Sequence, residues 1–281
     1  MRGAILLFFA LGFDFTGARA AAIDPRELVR ESIANGQRSW RQSFDYYCVK
    51  RDLNREFDSS GHVKSTDNDV FQVIPLGYGA SYEEWISHDN EPVSRIEHFK
   101  EERELDKRRA ETPAQKQRRF AKLANDRSYM KEVADAFDFK LIGVENLPTG
   151  PAWVLEATPH PGYPPQSRYA RMFPAMRGKL WIDQHDLQWV KADAVASDTV
   201  TFGVFIARLA KGSHIMIEQQ KLADGSWVPK SIQARASART FLFFNHNFQE
   251  EITYGDYRRS GTALAVREAR GQQPRLAAQR R

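Results

Sequence analysis

The stretch Gly178–Ala192, GKLWIDQHDLQWVKA, decides how the chain is read. Its centre, DQHD, sets Asp183 and Asp186 around Gln184 and His185, as a chelating or acid/base loop would, yet both flanks alternate apolar and polar residues like paired strands. With Asp183–Asp186 as a four-residue loop, Ile182 faces Leu187 and Leu180 faces Trp189, so one side of the hairpin is wholly apolar. Slipping the pairing by one residue would bring Gln188 and Val190 onto that side. The pattern therefore predicts a hairpin corner in which the two aspartates serve the turn. A metal would need a further ligand from elsewhere, so no metal site is expected and His185 is read as a solvated loop residue.

Outward from this hairpin the texture is mostly strand. Phe44–His88 is alternating, β-branched and aromatic, broken by a hairpin connection at Asp58–Gly61. From Phe137 to Arg258 strand-like runs succeed one another, with a second hairpin signal at Asp224-Gly225 and an ambiguous run at Asp198–Gly212. Gly77–Ser81, GYGAS, is the nearest approach to a phosphate loop, but no convincing helix follows it, and a strand-end turn is expected.

Two stretches read as helix. Asp24 as N-cap, Pro25 in the first turn and Glu27 three residues after the cap start one, with Val29, Ile33, Gly36 and Trp40 on its apolar stripe and Asn35-Gly36 as its expected stop. Glu97–Ala136 is highly charged and splits at Thr112-Pro113, a second N-cap signature. Its first half is polar on nearly every side, whereas Phe120, Leu123, Met130, Val133 and Phe137 form a stripe that must cover something. One helix, strands, a helical insert and many more strands joined by short connections predict an α+β fold with an antiparallel sheet.

Composition narrows the function. The 281 residues are 42% hydrophobic and 12% aromatic, enough for a substantial core, and a mean hydropathy of −0.57 excludes repeated membrane spans. Residues 1–20 read as a secretory signal peptide, with Arg2, an apolar run from Ala4 to Phe13 and a cleavage pattern ending near Ala20. No lipobox cysteine follows, so the expected location is the periplasm, with a single domain over 21–261. Cys48 is the only cysteine; export with no disulfide means that the fold rests on its core, and Cys48 is expected to be buried. The net charge of +5 resides in the ends: the tail 262–281 carries +4 and the leader +1, leaving the body neutral. Nucleic acid is therefore not an expected partner; the basic tail is read as disordered, with an affinity for anionic membrane surfaces or envelope proteins. There is no HExxH, CxxC, GxSxG, GxGxxG or P-loop pattern, so no enzyme and no cofactor are expected.

The leader, the single helix, the insert and the long antiparallel run containing Arg177–Ala194, RGKLWIDQHDLQWVKADA, resemble the bacterial outer-membrane lipoprotein-sorting proteins, the LolA/LolB-like superfamily. Leu155–Arg168 (LEATPHPGYPPQSR), Ala207–Gln220 (ARLAKGSHIMIEQQ) and Trp227–Arg239 (WVPKSIQARASAR) are similar to a closer set of exported, sorting-protein-like chains. The resemblance covers roughly 24–258. It implies an open antiparallel half-barrel whose concave face is covered by the N-terminal helix and the insert, around an apolar cavity for an acyl chain. A buried methylene is worth about 0.8 kcal/mol, so a long chain gains on the order of 10 kcal/mol before losses, with no catalytic residue. Within that frame the expected cavity residues are Trp153, Leu180, Ile182, Trp189, Phe202, Phe205, Phe241 and Phe243, and the expected lid residues Phe120, Leu123, Met130 and Val133. The function implied is a periplasmic carrier or sensor of a lipid, lipoprotein acyl chain or other amphiphile. The alternative is an interaction module with a filled core, binding a partner through the charged helices or the basic tail.

Overall fold

A computed structural model describes residues 24–202, 207–240 and 244–261. The chain runs α1 (Pro25–Ser43), β1 (Tyr46–Phe57), β2 (Val63–Gly77), β3 (Ala80–His88), β4 (Glu91–Pro92), α2 (Arg95–Ala110), α3 (Pro113–Asp126), a 3-10 turn at Ser128–Glu132, α4 (Val133–Ala136), β5 (Phe137–Leu147) and β6 (Gly150–Pro159). A 3-10 turn at Tyr169–Ala175 then leads into β7 (Met176–Asp183), β8 (Trp189–Ala196), β9 (Val200–Phe202), β10 (Ala207–Leu209), β11 (His214–Lys221), β12 (Trp227–Thr240) and β13 (Phe244–Arg259). The strands form one antiparallel sheet in the order β4-β3-β2-β1-β13-β12-β11-β8-β7-β6-β5, with β10 beside the end of β12 and β9 beside β10. The sheet does not close, because its end strands do not pair with each other. The fold is an open antiparallel half-barrel. Among the described residues no helix is long and apolar enough to cross a membrane.

Register shows how one face is built. A row of directly opposed residues runs from Leu141 through Leu155, Leu180, Ala192, Ile217, Ile232 and Ile252 to Asp52, Asp69 and His88. Opposed residues share a side of the sheet, so along this row the face is apolar from β5 to β13 and turns acidic at β1 and β2. α1 lies over the apolar end: Leu28, Val29 and Ile33 pack with Ala134 of α4, Leu155 and Ile182 in a buried cluster. Phe137, Ala170, Phe173, Met176 and Ala196 form a neighbouring one. The opposite face carries a smaller cluster of Ala152, Val154 and Trp181, so Trp181 and Trp189 point to opposite sides as the alternation requires.

The helix starts follow the capping chemistry. Asp24 accepts the Arg26 N–H at α1, and Thr112 with Gln115 closes a capping box at α3. The expected stop at Asn35-Gly36 is corrected: α1 continues to Ser43. Gly36 is there for proximity, because a Cβ on it would overlap the Trp189 indole. Asn35 reaches across to donate to the carbonyls of Asp186 (2.8 Å) and Leu187 (3.0 Å), tying α1 to the corner.

The corner itself is one residue later than expected. Asp183 and Gln188 close it, the Asp183 N–H donating to the Gln188 carbonyl at 2.8 Å, and Leu187 takes the left-handed conformation at φ 51°. Ile182 therefore opposes Trp189, and Leu180 opposes Ala192, with a bulge between Trp181 and Ile182. The expected pairings Ile182–Leu187 and Leu180–Trp189 are not formed, yet Leu180, Leu187 and Trp189 still pack on the cluster that holds Ile182. The slip is two residues at Ile182 and, past the bulge, three at Leu180, so the bulge keeps the side chains on their face; alternation constrains which face is buried and leaves the register open. The ambiguous run from Asp198 to Gly212 contains the short strands β9 and β10.

Both aspartates serve the corner. Buried Asp183 accepts the N–H groups of His185 (2.9 Å) and Asp186 (2.8 Å) through one oxygen. Asp186 receives Lys221 (2.6 Å), the Trp227 indole N–H (2.7 Å) and His185 (2.8 Å), while the His185 ring is almost fully exposed. Burial opposes ionisation of Asp186, but the bonds from Lys221, His185 and Trp227 outweigh it and hold the carboxyl down to about 2. A depressed carboxyl contributes stability above its unfolded pKa and loses it as pH falls through the folded one. Asp186→Asn is therefore expected to cost roughly 1–2 kcal/mol at pH 7, and the difference from wild type should shrink between pH 4 and pH 2 in urea melts. An undiminished difference at pH 2 would show that ionisation is not the cause.

Candidate functional site

The expected cavity residues are placed unequally. Ile182 is fully buried, and Trp153, Leu180 and Trp189 pack around it against α1. Phe202 ends β9, its side chain outside the described residues, as are Phe205, Phe241 and Phe243 altogether. The leader and the basic tail lie outside them too.

The insert residues divide in the same way. Phe120 stacks on Trp40 of α1 with ring centroids 5.2 Å apart, meets Phe44 edge-on at 5.8 Å and covers the β2–β3 turn, where a Cβ on Gly79 would overlap its ring. The Arg127 guanidinium lies 4.8 Å over Trp40, its pKa lowered by burial. Met130 borders a recess of about 70 Å³ with Trp40 and Trp189; Val133 packs against both buried clusters, and Leu123 is exposed. α2 runs beside β3, where Glu101 accepts the Tyr82 hydroxyl at 2.7 Å and the Trp85 backbone N–H at 3.3 Å.

The larger open space lies under the junction of α2 and α3. It is a cleft of about 400 Å³, with Phe44 from the end of α1, Tyr47 from the start of β1, and Ile74, Pro75 and Leu76 from the end of β2 as its apolar lining. Arg109 and Lys116 bound it from the insert, Asp45 and Ser260 from the other side. Small-molecule sites typically measure about 300–1,000 Å³ and combine an apolar lining with a few polar groups.

Lys116 sets the electrostatics of this cleft. The residue is only 9% exposed, and its ammonium donates to the carbonyls of Leu76 (3.1 Å) and Arg109 (3.2 Å). An ammonium has three protons to donate, and among the described residues no carboxylate forms an ion pair with this one. The nearby carboxylate of Glu111 is taken by Arg108 and Arg119, whose hydrogen bonds, that from Arg119 foremost, lower its pKa. A buried cation held only by carbonyl dipoles is costly unless an anion joins it.

Lys116 and the lining residues Phe44, Tyr47 and Ile74 were not among the sequence candidates. One signal was present: Lys116 stands one helical turn before Phe120, which packs on Trp40, so Lys116 occupies a position on the packed side of α3.

Among the described residues no other constellation competes. Among the described residues no group of His, Cys, Asp or Glu is disposed to hold a metal. Cys48 is buried and its thiol is pushed up to about 11, first by desolvation, which makes it a poor nucleophile at neutral pH. Glu132 accepts the Tyr163 hydroxyl (2.6 Å) and the N–H groups of Gln166 and Ser167 (2.9 Å each), so this carboxylate fixes the proline-rich loop.

No family model and no curated protein sequence matches the chain. Among solved structures it is similar to a DUF1329 family protein from Desulfovibrio piger at 13% identity and a TM-score of 0.31, covering 84% of this chain and 94% of that one. It is also similar to a LolA superfamily protein from Nitrosomonas europaea at 12% identity and a TM-score of 0.30, with the same coverages. Likeness at this level says nothing of activity, and the half-barrel assignment rests on the strand order and register described above.

Proposed function

We propose that the protein is a non-catalytic periplasmic carrier or sensor of an anionic amphiphile, exported by its leader. The acyl chain lies in the cleft beneath the insert and the acidic group meets Lys116. The observation that carries this reading is the pairing of an open apolar cleft with a buried ammonium that has no carboxylate partner among the described residues. Phe44, Tyr47 and Ile74 supply a surface for methylenes, and α2 and α3 form the lid, which Phe120 fastens to Trp40.

Calorimetric titration with a long-chain fatty acid, and with the alcohol and amine of equal length, tests the reading. The acid should bind and the amine should not, with affinity falling up to three- to fourfold for each methylene removed. Equal affinity for acid and amine would remove Lys116 from the site. The second reading, a protein-interaction module, is favoured by Ile96 and Phe99, which α2 exposes to solvent. It gains if no amphiphile of either charge binds.

A further inference from the structure

The two ends of the sheet are treated differently. At one end β3 is shielded by the two-residue β4 and by α2, whose Glu101 takes up the Trp85 N–H. At the other, β5 pairs among the described residues only with β6, and none of them is hydrogen-bonded along its outer side. Its middle is apolar and open, with Leu141 36%, Ile142 44% and Val144 58% exposed. Long, uncovered apolar edges are rare in proteins that stay monomeric, because they template pairing with another strand.

The sequence of β5 indicates which strand. We propose that β5 pairs antiparallel with β5 of a second copy of this chain, about a two-fold axis between Ile142 and Gly143. Lys140 then opposes the partner's Glu145, and Leu141 opposes the partner's Val144; the dyad repeats each pairing. In a regular strand this register would fail, because residues three or five apart point to opposite sides. The bulge at Ile142 removes the conflict. Leu141 opposes Leu155 and Val144 opposes Trp153, so both lie on the face that bears α1; Lys140 opposes Glu156 and Glu145 opposes Ala152, so both lie on the other. A bulge re-aims side chains along a strand, and this one makes β5 complementary to itself.

The charges complete the match. Lys140 has no ion-pair partner among the described residues, and Glu145 uses only Oε2, which accepts the Trp181 indole N–H at 2.7 Å. Two symmetry-related Lys–Glu pairs would flank the apolar centre, one at each end.

Sedimentation equilibrium of the purified protein is the test. The wild type should dimerise at micromolar concentration. Lys140→Glu should sediment as a monomer, as should Glu145→Lys, and an equimolar mixture of the two should recover a heterodimer, since each then offers what the other lacks. Glu145→Lys also removes the Trp181 acceptor, so its melting is followed alongside. Val144→Lys, at an exposed position, gives a second disruption and should raise the dimer dissociation constant at least tenfold. A wild type that remains monomeric overturns the proposal and leaves the edge to a peptide of another protein. Dimers that persist in both Lys140→Glu and Val144→Lys overturn it by placing the interface elsewhere.

Discussion

Lys116→Met is expected to weaken binding of a long-chain carboxylate at least tenfold while leaving affinity for the uncharged alcohol within about threefold. Methionine keeps most of the stem that lies against the cleft and removes the charge. A hydrogen bond to a charged group contributes roughly 1.5–3 kcal/mol, equivalent to a ten- to hundredfold change in affinity. The substitution also strips a donor from the Leu76 and Arg109 carbonyls. Part of the loss would therefore appear as stability, on the order of 1–3 kcal/mol for a buried acceptor left unpaired. Comparing acid with alcohol in the same variant separates the two effects, because damage to the fold lowers both affinities. An equal loss for both ligands would mean that Lys116 acts only as a brace between β2 and α3.

The second large effect concerns stability. Ile182→Ala should destabilise the protein by about 2–5 kcal/mol, the range for deleting a fully buried aliphatic side chain and leaving a cavity. Ile182 is completely buried and sits where α1, α4, β6 and β7 meet, a junction with little room to collapse. Beside it the closed network in which Ser39 donates to Gln188 (3.2 Å), and Gln188 to Gln219 (3.0 Å), resists rearrangement, since any shift would leave a buried amide unpaired. Urea unfolding followed by far-UV circular dichroism measures the change. A loss below 1 kcal/mol would show that α1 does not hold this face of the sheet.

Much of this architecture was legible from residues close together in the chain. Asp24, Pro25 and Glu27 mark the start of α1, Thr112 and Pro113 that of α3, and Gly61 and Gly225 take the positive φ that their hairpins require. The failures have a common cause, a local pattern overruled by a distant partner. Asn35-Gly36 looks like a helix stop, but Asn35 is there to grip the Asp186 and Leu187 carbonyls and Gly36 to admit the Trp189 indole. The DQHD hairpin obeys its alternation exposed against buried, while its register is set by a bulge and a left-handed Leu187 that alternation does not encode.

The cleft was the least legible feature. It gathers Phe44, Tyr47, Ile74, Leu76, Arg109 and Lys116 from α1's end, two strands and two helices. No window of sequence holds them together. Lys116 sits among many exposed lysines and arginines of the insert, and its place one helical turn before Phe120 is the one local sign that sets it apart.

The central claim, that this half-barrel holds an anionic amphiphile under its insert, is tested most directly by native mass spectrometry of the protein purified from its own cells without detergent. The account predicts a one-to-one adduct whose organic extract is an acyl-chain acid or anionic lipid, and which is lost or greatly reduced in Lys116→Met. A wild-type protein that carries no adduct and takes none up when equilibrated with fatty acids or anionic phospholipids would contradict it.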